Sequence, residues 1–307
     1  MLRTNDLLLL AVLSVSMAVG VLAPETGRPS QPFIIHLVML LLFLSFLSIK
    51  LADVKNVVRV SWPRLVFLTF IKLILLPAGA YLVFRAVWPE FAVAVLLLTG
   101  ISTGVVAPFI SNLVGGNSAL VLALVVVTSL LAPFSLPALV EALAGRTLEI
   151  PFTSMVRMLA QVIFIPLAAG AALRRLAPGA AAGLLKRGFP LSLACFAVIN
   201  LGVFSRYADF FRQRPAMVLA ALAVAVVLAG FNVAAGLAVT RKMVLADRLG
   251  AAVSLSNMNN VLVIVFAARF FGALEPTLAA VYMFPFFGVI VPLRIISRRA
   301  RAGEREV

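Results

Sequence analysis

Apolar residues run along most of this chain in unbroken stretches of about 20, without the every-other-residue alternation of a membrane barrel. Short segments bearing Lys, Arg, Gly or Pro separate the stretches. Runs of that length, wound as helices, match a hydrocarbon core about 30 Å thick. Helices satisfy their own backbone groups there. Ten spans are predicted: Leu7–Ala23, Phe33–Ala52, Leu65–Val87, Phe91–Val114, Ala119–Leu143, Phe152–Leu176, Phe189–Tyr207, Ala216–Thr240, Leu249–Phe271 and Leu278–Ile296. Arg3, the run Leu7–Leu22 and Ala23-Pro24 also have the form of a signal peptide. A retained first span is preferred, because the span count is then even and symmetric.

Composition agrees with the pattern. Of 307 residues, 63% are hydrophobic and 12% charged, against roughly 45–50% and about 25% in soluble domains. A net charge of +15 would suggest nucleic acid in a soluble protein. Here the cations fall in loops and at the C-terminus. With both termini inside, about 17 Lys and Arg lie on the inner side and about 7 on the outer, a positive-inside bias. The expectation is a multi-pass protein of the cell (inner) membrane with cytoplasmic termini, a lipid bilayer as partner and no nucleic acid. Cys195 is the one cysteine and reads as packing, and His36 has no second metal ligand beside it. No Gly-rich phosphate loop, nucleophile–base pair or paired acids arise, so neither an enzyme nor an ATP-driven pump is expected.

Five spans precede Gly145 and five follow, predicting two inverted repeats, 1–145 and 146–307, in one transmembrane domain. The fourth span of each half is unusual. The first contains Gly100-Ile101-Ser102-Thr103-Gly104-Val105-Val106-Ala107-Pro108, and the second Ser254-Leu255-Ser256-Asn257-Met258-Asn259-Asn260. Pro108 removes a backbone donor and clashes with the preceding turn, and Gly104 weakens the helix beside it. The Asn cluster is costly in hydrocarbon unless it faces protein, water or solute. Both spans are therefore expected to break, and matching breaks point to a transport site. Thr103, Gly104, Pro108, Asn257, Asn259 and Asn260 are the candidate solute-binding residues.

At these segments the sequence resembles the bile acid:sodium symporter family, over about Leu65 to Ile296. The resemblance is carried by Gly115-Gly116-Asn117-Ser118-Ala119-Leu120, Thr128-Ser129-Leu130-Leu131-Ala132-Pro133, Ala144-Gly145-Arg146-Thr147-Leu148-Glu149-Ile150 and Met258-Asn259-Asn260. It implies an all-α membrane protein of ten helices in two inverted five-helix repeats. Helices 4 and 9 would be broken and crossed, within panel and core domains. It also implies a carrier of organic anions working by alternating access, usually with sodium. Carried across, the hydroxyls of Thr128 and Ser129 are kept, and Asn259 stands for a glutamine. Asn260 stands for an asparagine near the substrate. Ala107-Pro108 replaces a Ser-Asn pair, Leu255 a glutamate and Lys72 a glutamine.

These departures matter because sodium needs several oxygen ligands, best with an anionic one. Lys72 lies about 12 Å into its helix, near the bilayer middle, where a lysine costs roughly 2.5–3.5 kcal/mol. It is expected to act as a built-in cation in place of sodium, able to exchange a proton as the carrier cycles. Thr128, Ser129 and Ser256 are the other ion-coupling candidates. The leading expectation is a secondary transporter of a small organic anion, sodium-independent or proton-coupled, with no bound cofactor. One alternative is sodium symport with a residual site at Thr128, Ser129 and Asn259. The other is a non-transporting solute sensor or a channel. Arg157 is expected at the outer interface, and Asn200 and Asn232 are expected to join helices.

Overall fold

The computed structural model describes residues 4–49, 51–145 and 150–303. Arg3, Lys50, Arg305 and the Arg146–Glu149 part of one family-like motif lie outside the described residues. Among the described residues the chain is helical, without a strand. α1 (Thr4–Leu22) leads through two short 3-10 turns to α2 (Ile34–Ser48). α3 (Leu51–Phe70) continues through a wider π-turn, Ile71–Leu75, into α4 (Leu76–Val87). Then come α5 (Pro89–Gly100), α6 (Ala107–Val114), α7 (Ser118–Ala144) and α8 (Phe152–Leu176). α9 (Pro178–Lys186), α10 (Gly188–Arg206), α11 (Ala208–Gln213) and α12 (Pro215–Val239) follow. α13 (Leu245–Ser256), α14 (Asn260–Phe270), α15 (Leu274–Val281), α16 (Met283–Gly288) and α17 (Ile290–Gly303) end the chain.

Among these residues, seven helical runs are long and apolar enough to cross a membrane: 24–48, 61–87, 118–144, 152–176, 188–206, 215–239 and 274–300. Two shorter apolar helices, α5 and α14, belong to the interrupted segments.

Several boundaries differ from the sequence expectation, for local reasons. The second span was expected to reach Ala52. α2 instead stops at Ser48, and Ile49 is extended. The third was expected to begin at Leu65. Helix already runs from Leu51, kinked at Ser61 two residues ahead of Pro63, whose ring disturbs the preceding turn. The tenth was expected as one run but is divided among α15, α16 and α17.

The chain forms two compact units, each built from separated stretches. The first comprises Met1–Ile49 and Met158–Leu219, the second Lys50–Arg157 and Ala220–Val307. In the first, α1 and α2 pack on α10. Side chains close the helix ends, whose last four carbonyls have no partner within the helix. The Arg174 guanidinium donates to the carbonyls of Phe46, at 3.0 Å, and of Ile49. Arg212 donates to the Val21 and Leu22 carbonyls at 2.6 and 2.9 Å. A cation there also opposes the negative end of the helix dipole.

The second unit uses the same device: Arg294 donates to the Leu113 carbonyl ending α6, at 3.2 Å, and the Tyr81 hydroxyl to Leu143 near the end of α7, at 2.8 Å. Its apolar centre includes Leu65 and Leu68 of α3, Leu120, Ala123 and Leu124 of α7, and Ala251 of α13. Because lipid is as apolar as leucine, close packing and polar contacts hold such helices together, rather than escape from water. That gives buried polar residues in this unit unusual weight.

Candidate functional site

Within the second unit two helices lose their regular winding. α5 ends at Gly100, Ile101 turns extended, and helix resumes at Ala107. Pro108 lies in the first turn of α6, where its missing N–H forfeits nothing. It starts the second half-helix, whereas the sequence argument had it clash with the first. α13 ends at Ser256, Asn257 is extended, and α14 begins at Asn260. Asn259 caps α14: its Oδ1 accepts from the Leu262 N–H at 3.4 Å, the familiar use of an Asn ahead of a helix.

The two breaks pair with one another. Thr103 and Met258 face each other as an antiparallel bridge. The Gly104 N–H donates to the Asn257 carbonyl at 2.7 Å, and the Asn259 N–H to the Ser102 carbonyl at 3.0 Å. A Cβ on residue 104 would lie 2.7 Å from the Met258 carbonyl oxygen, so only glycine allows this approach. Beyond α6, Gly115 takes the left-handed conformation (φ 79°) that closes the helix. Asn117 then caps α7 through the Leu120 N–H at 3.1 Å.

Buried side chains serve several further backbone groups. The Thr103 N–H donates to Thr128 Oγ1 at 3.0 Å, and the Thr128 hydroxyl donates to Leu124 O at 2.6 Å. Thr103 Oγ1 donates to Ser254 O at 3.2 Å. Lys72, 0% exposed in the π-turn, donates from Nζ to the Thr99 carbonyl in the last turn of α5 at 2.8 Å. Tyr282, also fully buried, donates to the Ser256 carbonyl at 2.7 Å. Asn257 Nδ2 donates to the Phe286 carbonyl at 2.8 Å.

Four buried polar atoms beside these contacts have no hydrogen-bond partner among the described residues: Ser102 Oγ, Ser254 Oγ, Asn259 Nδ2 and Asn260 Oδ1. Leaving such groups dry and unpaired costs about 1–3 kcal/mol each, so the arrangement calls for a polar guest or water. The set holds donors and acceptors but no carboxylate.

Most sequence candidates converge here. Thr103, Gly104, Asn257 and Asn259 form the crossing itself, Asn260 opens α14, and Thr128 and Lys72 buttress it. Ser256 acts through its carbonyl, since its hydroxyl is turned to Ala252 O at 2.7 Å. Ser129 is buried beside Thr128 in α7, and Pro108 stands at the start of α6. Leu255 packs with Ile71 and Leu76, the residues that bracket Lys72 in the chain. Arg157 is exposed.

Two groups escaped the sequence reading. The first is Tyr282; Asn232, expected to join helices, does so by donating from Nδ2 to the Tyr282 hydroxyl at 3.4 Å. The second is Asp247, 2% exposed in the first turn of α13, which accepts from Arg64 and from Asn117 Nδ2, each at 2.8 Å. Asp247 carried a faint signal, an acid near a helix start, but no local pattern points from Tyr282 to Ser256.

A model of the sodium bile acid symporter family matches residues 35–214, more than half of the chain. The matched stretch contains the first break and ends before the second. No curated protein matches the chain.

Proposed function

Because the chain belongs to the sodium bile acid symporter family, we propose that it carries a small organic anion across the membrane by alternating access, driven by protons or by exchange and independent of sodium. Membership makes it a multi-pass, symporter-like membrane transporter and not an enzyme. The finer reading has ten spans in two inverted repeats, 1–145 and 146–307, with both termini on the cytoplasmic side of the inner membrane. It takes the first compact unit as the panel and the second, which contains the crossing, as the core.

The observation that carries the proposal is the exchange of charge around the break. By the resemblance Leu255 stands in place of a family glutamate; it packs with Ile71 and Leu76, and between those two in the chain stands the fully buried Lys72. An acid is missing and a base is present in one small region. Lys72 supplies the positive charge that sodium otherwise brings, and its Nζ holds a carbonyl at the negative end of α5. The anion is held at the start of α14 by Asn259 Nδ2 and the unpaired hydroxyls, with helix N-termini lending positive potential. Asn260 Oδ1 accepts from a water held with the solute or from a hydroxyl or amide that the solute carries.

Sodium symport through Thr128, Ser129 and Asn259 is the weaker reading. The Thr128 hydroxyl already accepts from Thr103 and donates to Leu124, and Asn259 Oδ1 caps α14. Few of these oxygens are left for a hard cation that needs several oxygen ligands.

Uptake by reconstituted protein under imposed ion gradients tests the proposal. An acid-outside pH gradient, or preloaded anion, drives accumulation of pyruvate or glycocholate, and an inward sodium gradient at constant pH adds nothing. A strict requirement for sodium would sink it.

A further inference from the structure

We propose that Tyr282 is a positioning residue of the solute site: it clamps the carbonyl end of α13 as Lys72 clamps that of α5, and so fixes the register of Asn257–Asn260. This rests on the reading of the crossing as the place where solute is held.

The two half-helices that run into the crossing, α5 and α13, each end on carbonyls that the helix itself cannot satisfy. In each, one terminal carbonyl is held by a fully buried donor from a neighbouring segment. Lys72 Nζ reaches Thr99 O at 2.8 Å, and Tyr282 OH reaches Ser256 O at 2.7 Å. One donor is an amine that can take a proton and the other a phenol, so only the first half can bring a positive charge.

The phenol does not act alone. Four residues on, the Phe286 carbonyl accepts from Asn257 Nδ2 at 2.8 Å. The interrupted stretch between α15 and α17 therefore grips two successive residues of the break, Ser256 and Asn257. Asn232 of α12 donates to the Tyr282 hydroxyl at 3.4 Å, and its Oδ1 has no partner among the described residues. The effect of Asn232 on the break thus passes through that hydroxyl. Beyond the grip, the next groups along the chain are the Asn259 N–H on Ser102 and the unpaired side-chain atoms of Asn259 and Asn260. A break free to shift at Ser256 moves these atoms relative to Ser102 and Thr103.

Tyr282→Phe removes the hydroxyl and keeps the ring, and hydrogen exchange of the full chain in detergent reads the break without any solute. Peptides covering 256–261 and 101–105 are expected to exchange about tenfold faster, while those from α7 stay unchanged. Asn232→Leu is expected to give a smaller acceleration that disappears in the Tyr282→Phe background, because the two act in series. Should Tyr282→Phe fail to purify, Asn232→Leu carries the same test. In vesicles, with pyruvate and glycocholate as probes, Tyr282→Phe raises KM about tenfold and keeps the maximal rate per folded molecule. Unchanged protection at the break overturns the inference. So does a loss of protection that extends equally through α7, or a fall in rate at constant KM. If wild-type protein moves neither probe, the transport proposal is in difficulty, and the exchange measurement still decides the role of Tyr282.

Discussion

Replacing Lys72 with methionine keeps most of the side chain's length and removes its charge and its donors. Three effects compete. The Thr99 carbonyl loses its partner at 2.8 Å, a loss of about 1–3 kcal/mol for a buried acceptor. The end of α5 loses a cation beside its dipole, up to about 2 kcal/mol in a buried setting. Against these, an ammonium that is 0% exposed no longer has to be kept out of water, which relieves a penalty of several kcal/mol. The sum is a stability change within about 2 kcal/mol in either direction. Transport does not share this cancellation. If Lys72 carries the proton that accompanies the anion, uptake driven by an acid-outside pH gradient falls tenfold or more, while thermal unfolding in detergent is little altered. The opposite pair of results refutes the argument. A variant destabilised by more than about 3 kcal/mol that keeps full gradient-driven uptake per folded molecule would make Lys72 a helix cap and nothing more.

Other substitutions probe the scaffold around the crossing. Gly104→Ala places a methyl 2.7 Å from the Met258 carbonyl, an atom of fixed backbone. It is expected to destabilise by about 1–3 kcal/mol and to weaken solute binding, as read by thermal unfolding and by KM. Asp247→Asn removes the charge that Arg64 and Asn117 share. Arg64 is half exposed, so the loss is about 1–2 kcal/mol in denaturation, short of the 3–5 of a pair buried on both sides. Arg174→Gln uncaps the end of α2 and is expected to speed hydrogen exchange near 44–49 while leaving the crossing unaffected.

What the sequence made legible is what backbone chemistry writes locally. Gly104, Pro108 and the run Asn257-Met258-Asn259-Asn260 announce lost helix winding, because each residue has a conformational reason to stand where a helix stops. Gly115 and Asn117 likewise mark an end and a start. Lys72 stood out because charge in a long apolar run demands an explanation. The contacts that decide geometry were not legible in the same way. Nothing near Tyr282 in the chain announces Ser256, and Thr128 shows its partner only once Thr103 is folded beside it. Pro285 and Pro292 lie inside the expected span Leu278–Ile296, where a continuous apolar run hides the divisions between α15, α16 and α17. The two compact units interleave along the chain, so no linker or change in composition marks their borders.

Counterflow tests the account at its centre, the holding of a solute where two broken helices cross. Vesicles containing the protein are loaded with unlabelled carboxylate and diluted into labelled carboxylate with no ion gradient. The account predicts transient accumulation of label above equilibrium, saturable with concentration and abolished by Asn260→Ala. Flux that rises linearly without an overshoot, or an overshoot that survives Asn260→Ala and Gly104→Ala unchanged, would contradict it.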